Sequence, residues 1–214
     1  MNVRHTISVA AVAACAFVCA GAAQANVISG SLWHVPEAVV NSATGATPGN
    51  VPGTPGDVIF SVNSPLTFNA TGATVGVWLA SGSAFGITEN TAGTLASAMD
   101  GGGLGTIVEF TGFVTVTTGE TFTVAHDDGL TLIIGGLDLG FDPGPTAPTV
   151  TTKTYTGPSG TFAFTLVYAE CCGGPAVLEV DLPFSNTRVP EPATLALLAL
   201  GFAAAGFSRR RKLS

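Results

Sequence analysis

The chain has few charged residues, and positive charge is the scarcest. Charged residues make up 10% of the 214 positions, with seven lysines and arginines against fourteen acidic residues. All fourteen acidic residues lie between positions 26 and 191, where the basic residues are only Lys153 and Arg188, so this part carries a formal charge of −12. Such a surface repels phosphate backbones, which argues against nucleic acid as a partner. It favours solubility and attracts divalent cations.

The sequence also lacks the common motifs of catalysis. No Gly-x-Ser-x-Gly nucleophile elbow occurs, because "GPSG" at Gly157 has the wrong spacing. Glycoside hydrolysis would need two carboxyl groups across a cleft, and Asp127 with Glu170 is a conceivable pair. Nothing in the sequence selects that chemistry. We therefore predict that the protein is not an enzyme.

Cysteine is rare too, and no Cys-x-x-Cys metal motif is present. Of the four cysteines, Cys15 and Cys19 lie in the N-terminal segment, which leaves Cys171 and Cys172 adjacent in the remainder. In an oxidising compartment these two are free, bonded to each other, or bonded to another chain. The sequence leaves these alternatives open.

The N-terminal segment has the pattern of an export signal. Arg4 precedes an apolar run over residues 7–23, and the run closes on "AQA", with small residues at Ala23 and Ala25. This order predicts a signal-peptide helix over residues 1–25, which signal peptidase removes after export through the Sec system. The apolar run is too short for a confident membrane span, although a retained anchor is the alternative.

The body between the two ends reads as β structure. Short alternating segments are separated by turn residues, and no stretch shows a sustained helical period. The predicted strands cover residues 57–64, 74–81, 106–118, 121–126, 130–134, 161–170 and 177–182. One weak helix candidate covers residues 91–99. We predict an all-β protein with a single antiparallel β-sandwich over residues 26–187.

"HDDG" at residues 126–129 joins two of these predicted strands. Asp-Gly between alternating strands is a strong hairpin signal, which accounts for Asp128 and Gly129. It does not account for Asp127, since neighbouring carboxylates repel each other. A Ca²⁺ ion, which takes six to eight oxygen ligands, would offset that repulsion. His126 falls on the inward-facing phase at the strand end, as a rim residue or a ligand-binding residue.

The C-terminal tail has three parts: "PEP" at Pro190, Glu191 and Pro192, an apolar stretch, and a basic cluster. The apolar stretch predicts a short hydrophobic helix over residues 193–207, and the cluster at 209–212 comprises Arg209, Arg210, Arg211 and Lys212. Positive charge there places the tail's end on the cytoplasmic side. The order resembles the PEP-CTERM sorting signal of exported bacterial proteins, over residues 188–214. The resemblance implies tethering in the inner membrane, followed by cleavage by an exosortase-type protease and transfer to the cell surface or extracellular matrix.

The segment "GETFTVAHDDGLTLIIGG" and the later "GTFAFTLVYAECCGGPAVLEVDLP" together resemble the protective-antigen-type β-sandwich, whose lectin-like members include the flocculin adhesins. In those members two aspartates joined by a cis peptide bind Ca²⁺ and the ion binds sugar. The resemblance implies that Asp127 and Asp128 are metal ligands. Glu170 stands where the adhesins carry an asparagine, and we include it as a third candidate ligand. If bonded to each other, Cys171 and Cys172 would replace the adhesins' aromatic side chain as a flat platform for the ligand.

These observations predict an exported carbohydrate-binding protein that is dependent on Ca²⁺. Its expected partner is a glycan such as the cell's own exopolysaccharide. The alternative is a structural protein of the extracellular matrix or biofilm with no specific ligand. Adhesion to ice through threonine-rich faces is disfavoured, because the chain lacks the regular repeat that a flat threonine array needs.

Overall fold

The computed structural model describes residues 27–180 and 182–183. The predicted signal peptide, the C-terminal helix, the sorting tail and the boundary at residue 187 lie outside these residues. The strands are β1 (Val27–Pro36), β2 (Val58–Asn63), β3 (Leu66–Thr71), β4 (Phe85–Glu89), β5 (Leu104–Val116), β6 (Thr121–Asp127), β7 (Leu130–Ile134), β8 (Leu137–Asp138), β9 (Thr149–Thr154), β10 (Gly160–Glu170) and β11 (Pro175–Val180). The α-helices are α1 (Glu37–Val40) and α2 (Val75–Ser81), and 3₁₀ turns cover Pro48–Asn50 and Thr94–Ala96.

The strands form two antiparallel sheets, as the alternating pattern predicts. The seven-stranded sheet has the order β4-β2-β1-β5-β10-β7-β8, and the four-stranded sheet has the order β3-β11-β6-β9. Inward-facing side chains of both sheets make the main core, because alternate residues of a strand point to one face. Phe68, Phe110, Phe122, Leu132 and Leu178 are among those fully buried there. The β-sandwich prediction is therefore confirmed.

A second buried cluster covers part of the outer face of the seven-stranded sheet. Trp33, Ile107 and Val167 project outward there and are covered by Val40 and Ala46 from the segment that follows β1. This face is therefore closed by the chain's own loop. No helix within the described ranges has the length and apolar character of a membrane span.

The prediction of a strand over residues 74–81 is wrong, because this segment forms α2. Val75, Trp78 and Leu79 are buried at helical spacing, and the Thr74 side chain accepts a hydrogen bond from the Val77 amide at 3.3 Å as the N-cap. The indole of Trp78 stacks on the Phe68 ring at 4.2 Å between centroids. Burial of the tryptophan outweighs the β propensity of the valines. The weak helix candidate over residues 91–99 contains only the 3₁₀ turn.

The segment around "HDDG" is not a hairpin, so the hairpin interpretation of Asp128 and Gly129 is wrong. Strand β6 belongs to the four-stranded sheet and β7 to the seven-stranded sheet, so residues 127–130 cross between the sheets. Gly129 is not among the residues with positive φ. A Cβ atom there would overlap the backbone oxygen of Pro143, so glycine is required for close approach of two chains rather than for a turn.

Both ends of the described chain lie at one end of the sandwich. Strand β1 begins near Thr111 of β5, and the Thr115 amide donates to the Pro183 carbonyl at 3.3 Å. At the other end of β5, Thr106 pairs with Glu170 of β10. Thr115 lies nine residue steps along the extended strand from Thr106, which corresponds to about 30 Å. The crossing at residues 127–130 lies at the Glu170 end.

Candidate cation and ligand site

Asp127 and Asp128 line a surface pocket of about 340 Å³ at this end of the sandwich. The pocket is formed where β6 crosses to β7, together with the loop before β9 and the loop between β10 and β11. Its remaining lining residues are Pro145, Thr146, Ala147, Pro148, Cys172, Gly173, Gly174 and Pro175. The pocket therefore combines two carboxylates with walls of proline, small residues and one cysteine.

Asp127 is the residue most in need of a partner. Asp127 is 4% exposed as a residue, and its carboxylate accepts no hydrogen bond from any described residue. Burial, together with the charge of Asp128, raises the pKa of Asp127 to about 6. Gly174 lies against it, since a Cβ at that glycine would be 3.2 Å from Oδ2. A buried, unpartnered carboxylate that lines a pocket is suited to a cation.

The Asp128 carboxylate is held in place by the backbone. Its Oδ1 accepts from the Thr146 amide at 3.0 Å, and its Oδ2 accepts from the Cys171 amide at 2.8 Å. Burial raises the pKa of Asp128, although these two amides act in the opposite direction. Each oxygen keeps a lone pair for a further partner. The peptide bond between Asp127 and Asp128 is cis, as the sequence resemblance implies.

Glu170 does not line the pocket. It is 1% exposed, and the hydroxyl of Tyr168 contacts both its Oε2 and the carbonyl oxygen of Asp127. A phenol has one proton and a carbonyl only accepts, so both contacts are hydrogen bonds only if the Glu170 carboxyl donates as an acid. Burial, with the nearby charges of Asp128 and Asp127, raises the pKa of Glu170 to about 9. Its role as a metal ligand stays a prediction, and the geometry makes it a support behind Asp127.

His126 also lies behind the pocket. It is 1% exposed, and its Nδ1 donates to the carbonyl oxygen of Asp128 at 2.5 Å. The other ring nitrogen, Nε2, lies 3.3 Å from the Thr151 hydroxyl, within hydrogen-bond distance. Both nitrogens are engaged within the protein, so in this structure His126 supports the Asp128 backbone and does not face the pocket.

Cys171 and Cys172 are bonded to each other, which is one of the three alternatives that the sequence leaves open. Cys171 is buried, whereas Cys172 is exposed and lines the pocket. Their sulfur atoms and an Asp128 oxygen all lie within 4.8 Å of one another. The expected trio of Asp127, Asp128 and Glu170 is not grouped in this way among the described residues. Because disulfide sulfurs are not thiolates, the cysteines contribute a wall rather than ligands.

The disulfide predicts a definite thiol count. The exported protein, denatured without reductant, should show no free thiol with a thiol-specific reagent. After reduction, protein that lacks residues 1–25 should show two free thiols, because Cys171 and Cys172 are then its only cysteines. A count of two before reduction would contradict the bond. Mass spectrometry of the peptide that contains both residues distinguishes this bond from one between chains.

The sequence analysis missed Asp100. Its Oδ2 accepts a hydrogen bond from the Gly173 amide at 2.6 Å, across 73 residues of sequence. The loop that holds it continues through three glycines with positive φ at 101–103. "DGGG" marks this loop in the sequence, but nothing local indicates that it meets the cysteines.

Within the described part of the chain, no lysine or arginine pairs with these acids. Lys153 is the sole lysine or arginine in the described part of the chain, and its Nζ lies 5.9 Å from the centroid of the Phe141 ring. Three aspartates and one glutamate thus share one end of the sandwich without a lysine or arginine partner. The electrostatic field there favours binding of a cation.

The destination of the protein follows from a comparison with known families. Residues 188–212 match the model of the PEP-CTERM protein-sorting motif. The chain carries a PEP-CTERM motif. The match includes Pro190, Glu191 and Pro192 and the basic cluster, as the sequence predicts. A PEP-CTERM motif implies export and sorting to the surface by an exosortase.

Two of the solved structures that resemble this chain are PA14 domains. The PA14 domain of the MpAFP antifreeze protein has a TM-score of 0.48 and 16% identity, covering 76% of this PEP-CTERM chain and 84% of that domain. The PA14 sugar-binding domain from an RTX adhesin has a TM-score of 0.46 and 16% identity, and the match covers 74% of this chain and 90% of that domain. An anti-sigma factor domain-containing protein has a TM-score of 0.38 and 15% identity, and the match covers 75% of this chain and 42% of that protein. No curated protein matches the sequence significantly.

Proposed function

We propose that this exported protein binds a neutral glycan through a Ca²⁺ ion held by Asp127 and Asp128. The observation that carries the proposal is the Asp127 carboxylate, which lines the pocket and has no hydrogen-bond donor among the described residues. Burying a charged group without a partner is costly, and a bound cation would offset that cost.

The residues present suit Ca²⁺ better than a transition metal. The available donors are carboxylate oxygens, which hard cations prefer, and the His126 ring is turned away from the pocket. Asp127 and Asp128 would hold the ion. When bound, the ion would supply positive charge and open coordination positions for ligand oxygen atoms. Tyr168 and Glu170 support Asp127 from the protein side.

The pocket walls favour a polyhydroxylated, uncharged ligand. Carboxylates accept hydrogen bonds from hydroxyl groups, and the described residues that line the pocket include no lysine or arginine to pair with an acidic ligand. Pro145, Pro148 and Pro175, with the exposed Cys172, offer apolar surface for the carbon face of a sugar ring. A PEP-CTERM destination makes the cell's exopolysaccharide the expected source of that glycan.

Thermal melting of the purified exported protein tests the ion. At a Ca²⁺ concentration of about 100 times Kd, binding adds about 2.7 kcal/mol, which corresponds to a rise in Tm of about 5–10 °C over an EGTA sample. Equal Tm values in Ca²⁺ and EGTA would support the structural matrix protein instead. Calorimetry with oligosaccharides from partial hydrolysis of the exopolysaccharide, in Ca²⁺ and in EGTA, then tests the glycan.

A further inference from the structure

The loop between β10 and β11 forms one wall of the pocket and is surrounded by carboxylates. Its Cys171 amide donates to Asp128, its Gly173 amide donates to Asp100, and Gly174 lies against Asp127. The conformation of this wall is therefore linked to both proposed ligands.

Apart from the disulfide between Cys171 and Cys172, the wall has few other attachments. Cys172, Gly173 and Gly174 all have positive φ, at 68°, 75° and 139°, and the two glycines have no side chain to pack. Of the three amides of residues 172–174, that of Gly173 makes a hydrogen bond to a described residue, and its acceptor is Asp100. The other two amides make none within the described ranges. A short bond to a carboxylate is among the stronger kinds of hydrogen bond.

We infer that Asp100 is a positioning residue of the pocket, which acts through the Gly173 amide to hold the wall against Asp127 and Asp128. The expected consequence is tighter binding of Ca²⁺, and this consequence rests on the proposed function. The charge of Asp100 also reaches the site, because it adds to burial in raising the pKa of Asp128. The test therefore separates the hydrogen bond from the charge.

Two substitutions make this separation in the full exported protein. Asp100→Ala removes both the acceptor and the charge, whereas Asp100→Asn keeps an oxygen that can accept from Gly173. We expect calorimetry to show Ca²⁺ affinity weakened by about tenfold or more for alanine, with asparagine recovering most of that loss. Asp138→Ala is the matched control, since Asp138 accepts from the Gly140 amide at 2.8 Å outside the pocket. Equal affinities for wild type and Asp100→Ala, or equal losses for both Asp100 variants, would overturn the inference.

Amide hydrogen exchange in EGTA supplies a readout that does not need the ion. Asp100→Ala should lower the protection of the Gly173 and Cys171 amides by about tenfold, while Asp100→Asn and Asp138→Ala should leave that of Cys171 near the wild-type value. Unchanged protection at Cys171 in Asp100→Ala would refute positioning whether or not Ca²⁺ binds. Absence of Ca²⁺ binding to the wild type would instead refute the proposed function.

Discussion

Asp127→Asn is expected to reduce Ca²⁺ affinity by at least about 100-fold and to abolish the rise in Tm with Ca²⁺. Loss of a residue behind a metal ligand already lowers affinity by about 10–100-fold, and Asp127 is proposed as a ligand itself. In EGTA the variant should be no less stable than wild type at pH 7.5. The reason is that burial raises the pKa of Asp127 to about 6, so the ionised form costs folding energy that a neutral amide avoids.

The matched control for this charge change is Glu179→Gln. Glu179 is exposed and lies on β11, which neighbours β6 in the same sheet. Its partner across the strands is Ala125, and it does not line the pocket. Glu179→Gln removes one negative charge from the same face of the sheet, so the Ca²⁺ affinity of this variant should stay within about threefold of wild type. Calorimetry on the three proteins decides the matter. A wild-type affinity in Asp127→Asn would contradict the proposed ligand.

Glu170→Gln is expected to make the stability of the ion-free protein less dependent on pH. Burial raises the pKa of Glu170 from 4.5 to about 9, so the folded state keeps a proton that the unfolded state loses above about pH 4.5. The stabilisation by this group is fully present below that pH and is lost as pH rises toward 9. Each pH unit within this window costs the wild type about 1.4 kcal/mol, and glutamine removes that slope.

Urea unfolding in EGTA between pH 6.5 and 8.5 measures this slope. Asp127 is ionised in both states over most of this interval, so its contribution is small there. Glutamine preserves the shape of the side chain and can donate to the Tyr168 oxygen, which limits other losses of stability. Glu179→Gln should retain the wild-type slope. Parallel curves for wild type and Glu170→Gln would show that Glu170 is ionised in the folded protein.

The sequence predicts the sandwich well wherever one face of a strand meets the core. Strands β5, β6, β7, β10 and β11 alternate between apolar and polar residues, and all lie where the pattern indicates. The segment at 74–81 fails because β-branched residues favour a strand locally, whereas burial of Trp78 against Phe68 is decided by the tertiary fold. Strands β1, β3, β4, β8 and β9 are not predicted. In β1 and β9, glycine, serine and threonine weaken the apolar signal.

The site shows the same division between local and distant information. Asp127 and Asp128 stand out because two acids are adjacent. A bond between Cys171 and Cys172 is one of the alternatives in the sequence analysis, because these residues are also adjacent. The hairpin interpretation fails because a turn and a crossing between sheets use the same residues, and only the partners of β6 and β7 distinguish them. Asp100 could not be found, since it meets Gly173 only after folding.

The last described residues and the pocket lie at opposite ends of the sandwich. Pro183, from which the chain continues toward the PEP-CTERM motif, lies beside Thr115, and the acidic pocket lies about 30 Å away at the Glu170 end. A tether attached to the tail would therefore act on the end of the sandwich opposite the pocket. A glycan bound in the proposed pocket would then lie at the end of the sandwich farthest from Pro183.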